Sequence, residues 1–84
     1  SGCTHAEILL HASTETAQAA LRFDSGEFTA LTPTQTGSDK LPGGARCTLL
    51  RFRVDIPENA QTAQLKLTLP SQSCKIYDTA LVLL

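Results

Sequence analysis

The stretch that most constrains the fold is residues 49–69, LLRFRVDIPENAQTAQLKLTL. Leu50, Phe52, Val54 and Ile56 alternate with Arg51, Arg53 and Asp55. After a Pro-Glu-Asn break, Leu65, Leu67 and Leu69 alternate with Gln64, Lys66 and Thr68. A period of two places every second side chain on one face of an extended chain, so each run reads as a strand with one buried and one wet face. Pro57 and Pro70 cannot donate to a ladder, and they close the two runs. Seven large apolar side chains thus point toward one core. Burying such a side chain fully is worth roughly 1.5–3 kcal/mol before entropy. The two runs are expected to pair antiparallel about residues 58–60 and to form the centre of the molecule.

The rest of the chain reads as short strands and turns. AEILLH, residues 6–11, fits a strand. Residues 12–23 are ambiguous, because Ala17, Ala20 and Leu21 have helical spacing while Ala19, Leu21 and Phe23 alternate. A strand over this segment, a tight turn at DSGE and a strand in FTALT is the more economical account of residues 17–32. Residues 33–46, PTQTGSDKLPGGAR, carry two Pro and three Gly and lack apolar periodicity, which predicts one long loop. The last segment, CKIYDTALVLL, is apolar on both faces. It predicts either a covered strand or an edge offered to a neighbouring molecule through Leu81, Val82, Leu83 and Leu84. Six to seven short antiparallel strands joined by turns predict an all-β fold, a small jelly-roll-like β-sandwich, with residues 1–84 as a single domain.

Composition narrows the function classes. The net charge is −1 and the isoelectric point about 6.0, without the basic excess of a nucleic-acid-binding surface. Charged residues make up only 18%, and Thr occurs 11 times. Such a charge-poor, Thr-rich chain fits an exported β-protein, extracellular or at the cell surface. No segment approaches the ~18 apolar residues of a membrane span. A small core of this kind gains from a covalent staple. The cysteines are Cys3, Cys47 and Cys74. If the two runs of 49–69 pair, Cys47 and Cys74 flank the open end of that pair, and a disulfide between them is expected. It would be worth roughly 3 kcal/mol by loop-closure entropy.

Chemistry-bearing patterns are sparse. His5, Glu7 and His11 share one face of a strand, but His5 and His11 would stand ~20 Å apart at ~3.3 Å per residue, too far for one metal. There is no C-x-x-C pair for structural zinc, no nucleophile elbow and no phosphate-binding loop, so no catalytic residue, metal or cofactor is expected. Arg22, Arg46, Arg51 and Arg53 could form a small basic patch able to contact an anion or glycan. Tyr77 is the only Tyr, which offers little for stacking sugars.

Two resemblances add to this reading. Leu50, Phe52, Ile56, Pro57, Ala60, Leu65 and Leu67 resemble the core-strand pattern of secreted jelly-roll modules of the DNRLRE and carbohydrate-binding type. The likeness implies an extracellular sandwich with a structural, adhesive or glycan-associated role. The Ser-Gly-Cys start and LPGGARCTLLRFRVD, residues 41–55, resemble the small lipoproteins that serve as pilotins for type III secretion secretins. That likeness implies a periplasmic, outer-membrane-anchored assembly factor that binds a secretin segment. Cys3 would carry the lipid and be the sole contact with a membrane. Under either reading the chain is expected to be non-enzymatic, and its apolar last segment leads us to expect a protein partner or self-assembly.

Overall fold

The computed structural model describes residues 4–84, which form seven strands and no helix: β1 (His5–Ala12), β2 (Gln18–Phe23), β3 (Thr29–Ala30), β4 (Gln35–Lys40), β5 (Arg46–Asp55), β6 (Ala63–Thr68) and β7 (Ile76–Leu83). They make two antiparallel sheets, a four-stranded one in the order β4-β5-β1-β7 and a three-stranded one in the order β3-β2-β6. The expected small all-β sandwich is what forms.

β1 sits inside the larger sheet, between β5 and β7, and its alternation is complete. Ala6, Ile8, Leu10 and Ala12 are buried, and His5, Glu7, Leu9 and His11 lie on the other face. Its register with β5 sets Ile8 opposite Phe52 and Leu10 opposite Leu50, so the largest side chains of the core are cross-strand neighbours. Ala17, Ala19 and Leu21 of the facing sheet complete the core, with Phe23, Leu65 and Leu67 packed at its margin. Segment 18–23 is a strand despite its alanines. Six consecutive residues pair with β6, and such pairing outweighs the local helical preference of Ala.

Two expectations change. Both runs of 49–69 form strands, with Phe52 and Leu65 inward, but Leu69 lies beyond β6 and is exposed, and the two strands do not pair with each other. β5 pairs with β1 and β4, while β6 crosses to the other sheet and pairs with β2. Alternation sets which face is buried and is silent about the neighbour, and two strands of facing sheets satisfy it as well as a hairpin does. The 33–46 loop contains β4, paired over six residues with β5. All six β4 side chains are exposed, so no apolar period marks the strand. Its turn to β5 closes on Leu41, whose N–H donates to Ala45 O, and Gly44 takes a φ of +90° there. The short strand expected in FTALT forms over Thr29–Ala30.

The facing sheets are unequal. Thr29 and Leu31 border one shallow depression together with Arg53 and Val54 of β5, so the β3 edge lies beside β5 and β4 projects beyond it. At the opposite side, β6 and β7 are the free edges, and between them the sandwich is open.

Candidate functional site

The opening is an apolar cleft at the end of the sandwich where β1 begins and β5 ends. Ala6 and Ile8 form its floor, Phe23, Ile56 and Leu65 line it from the facing side, and Leu81 and Leu83 form its rim. It encloses about 190 Å³. The alternation of β7 builds that rim. Ile8 is the register partner of Leu81, and Ala6 of Leu83, so both leucines point toward the inter-sheet space. Yet each remains 63% exposed, because β6 does not reach across them. A water-facing apolar surface of this kind is costly in a small domain, and apolar hollows with few polar groups are where ligands and partner segments seat.

Among the residues the sequence singles out, Leu81 and Leu83 come together in this cleft. Val82 points the other way, beside Glu7, and Leu84 continues the pairing through its N–H to His5 O at 3.0 Å. β7 lies at the edge of its sheet and is not the strand covered on both sides that was one of the two expectations. Phe23, Ile56 and Leu65 were legible only as core residues. Nothing local to them marks the core as open at this end.

The expected Cys47–Cys74 disulfide is absent; both are free, buried thiols. Cys47 lies opposite Asp39 in the β4–β5 register and shares the outward parity of Arg51 and Arg53. Cys74 belongs to the inward core, where Thr14 Oγ1 donates to its sulfur at 3.3 Å. Once β5 and β6 part to different sheets, the argument that drew these cysteines together no longer holds. Burial, reinforced by the Asp39 charge, pushes the Cys47 thiol above its ordinary 9.0, away from a reactive thiolate. Cys3 lies outside the described residues.

The outer face of the larger sheet carries His5, Glu7 and His11, as the alternation predicts, but they do not converge. His5 Nδ1 lies 2.7 Å from Asp55 Oδ1, Arg51 Nη1 donates to Glu7 Oε1 at 2.9 Å, and His11 Nε2 lies 2.9 Å from Asp39 Oδ2. The His11 contact spans β5, since Asp39 belongs to β4, and with the Lys40 N–H it holds the Asp39 carboxyl below its ordinary range. Among the described residues no three His, Cys, Asp or Glu side chains are grouped to hold a metal.

The arginines are dispersed too. Arg51 and Arg53 lie on the larger sheet, whereas Arg22 is on the smaller one, 4.8 Å above the Phe28 ring, with Lys66 at 5.6 Å from the same ring. Arg22 Nε donates to Gln64 Oε1 at 2.8 Å. Two cations over one ring leave Phe28 little free face for a sugar.

No family model, curated protein or solved structure matches the chain.

Proposed function

We propose that this chain is a non-enzymatic protein-binding β-sandwich that seats an apolar segment of a partner protein in the β6–β7 cleft. The observation that carries the reading is the exposure of Leu81 and Leu83 on the inward parity of β7, above a floor of Ala6 and Ile8. A partner side chain entering there gains apolar burial on three sides. An adhesive or assembly role at the cell surface or in the periplasm accords with the charge-poor, Thr-rich composition and with the resemblance to secretin pilotins. A glycan role has less to rest on, with Phe28 beneath two cations and Tyr77 alone on an edge.

The test is site-specific photo-crosslinking in the native host. A benzoylphenylalanine at position 81 is expected to give discrete protein adducts, and one at position 36 on the opposite edge strand is not. Absence of any protein adduct at position 81, or the same adducts from both positions, would overturn the proposal.

A further inference from the structure

We infer that the occupant of the cleft is a single extended strand of the partner, hydrogen-bonded along the open edge of β7, with an apolar side chain at every second position. This rests on the cleft being a protein-binding site, and it names the form the partner takes there.

The four sheet edges differ in how they are protected. β3 is two residues long, and β4 carries only exposed side chains, Asp39 and Lys40 among them. β6 sets Lys66 between its two leucines, with Gln64 before them. Short length and edge charge are the usual means of keeping a free strand from pairing with another chain. β7 has neither protection over its second half. It is eight residues long, and Thr79–Leu83 carries no charge and no Pro.

The backbone of β7 is also poised for pairing. Leu84 N–H donates to His5 O, which makes His5 and Leu84 a hydrogen-bonded pair of the β1–β7 ladder. Antiparallel pairs alternate between hydrogen-bonded and non-bonded along the strands. Following the register back, Val82 and Ala80 direct their backbone groups toward Glu7 and Leu9 of β1. Leu81 and Leu83 therefore direct their N–H and C=O groups outward, to the edge that no described strand covers, whereas the Thr79 N–H is already taken by Asp78 Oδ1 at 2.9 Å. These are the same two residues whose side chains rim the cleft.

The two features coincide in a way that selects the guest. A strand added antiparallel to β7 sets residues directly opposite Leu81 and Leu83, and directly opposite residues project to the same face. The guest's hydrogen-bonding residues are then the ones whose side chains enter the cleft. Main-chain bonds supply affinity and alternate side chains supply selectivity, as in other strand-addition complexes. A cavity of ~150 Å³ accommodates a benzene ring, so the 190 Å³ here takes one large aliphatic or aromatic side chain, with smaller ones on either side.

Three nine-residue peptides test this against the intact, isotopically labelled protein. One alternates Leu or Val with Thr and Lys. A second has the same composition rearranged to helical spacing, and a third is the alternating peptide N-methylated at its inward-facing residues. The alternating peptide is expected to bind, to shift the amides around the cleft and to slow exchange at Leu81 and Leu83. The rearranged and N-methylated forms are expected to bind at least tenfold more weakly. Equal or tighter binding of the helical form, without protection of those amides, would overturn strand addition and leave the cleft as a protein-binding site. No cleft shift with any peptide would overturn both. A concentration-dependent dimer of the protein alone that protects the same amides would make a second copy the occupant and overturn the inference.

Discussion

Asp24 Oδ1 lies 3.0 Å from the backbone nitrogen of Thr62, joining the β2–β3 turn to the connection between β5 and β6. The same oxygen accepts from the Gln61 N–H at 3.1 Å, and Asp24 N–H donates back to Thr62 O at 2.9 Å. Asp24 adopts a φ of 54°, a left-handed conformation that Asp and Asn tolerate better than most residues. The Thr62 and Gln61 backbone donors hold its carboxyl below the ordinary 3.8. A carboxyl whose folded pKa is depressed contributes stability that is present above 3.8 and lost as the pH falls through the folded value. Thermal melts from pH 7 to pH 2 are expected to show Asp24→Asn keeping the amide oxygen as acceptor but losing part of the acid-side decline. Asp24→Ala should lower the melting temperature at pH 7 more than Asp24→Asn does. Equal melting temperatures for wild type and Asp24→Ala would refute the role.

Phe52 and Leu69 belong to the same alternating pattern in the sequence, yet the structure gives them different weights. Phe52 is 1% exposed among the largest core side chains, and Leu69 is 44% exposed. Phe52→Ala is expected to cost about 3–5 kcal/mol. Leu69→Ala should stay within roughly 0.5 kcal/mol, the usual range for a surface change. Urea titration of both variants measures the difference.

That contrast marks how far the sequence could be read. The inward faces of β1, β5 and β6 were legible because Ile8, Phe52 and Leu65 each sit in a strict period of two. Pairing was not, since period two describes one strand and its faces but names no neighbour. The strand Gln35–Lys40 was hidden because β4 projects past the smaller sheet, so neither of its faces needs apolar residues. Leu81 and Leu83 were legible as an apolar terminus. The cleft they rim was not, because it depends on β6 stopping short of β7, a relation between two sheets that neither strand records.

Cys47 and Cys74 face opposite sides of the larger sheet, and their contributions to stability should be independent. Cys74→Ala removes a buried core atom and the acceptor of the Thr14 hydroxyl, and is expected to cost about 1–2 kcal/mol. Cys47→Ala should cost less. In the double variant the two costs should add to within ~0.5 kcal/mol, as they do for sites that share no partner. A disulfide would instead make either single change as costly as both. For the Cys47 thiol the sign with pH is opposite to that of Asp24. Its folded pKa is raised, so its contribution is complete below the ordinary 9.0 and is lost as the pH rises through the higher folded value. Native-state thiol labelling at pH 8 should accordingly be slow at both positions and become fast in denaturant.

Gly44 holds the β4–β5 turn with a φ of +90°, a conformation that costs a side-chain-bearing residue on the order of 1 kcal/mol. A Cβ there would meet no atom within 4 Å, so the penalty of Gly44→Ala is purely one of backbone strain. Gly37, on β4, is equally unobstructed but has no positive φ, and Ala there should be neutral or slightly stabilising through the unfolded chain. Equilibrium unfolding of the two variants separates the effects. A loss of about 1 kcal/mol at position 44, with none at 37, is expected from the turn geometry. Equal losses at both positions would mean that the positive φ of Gly44 is not what sets the cost there.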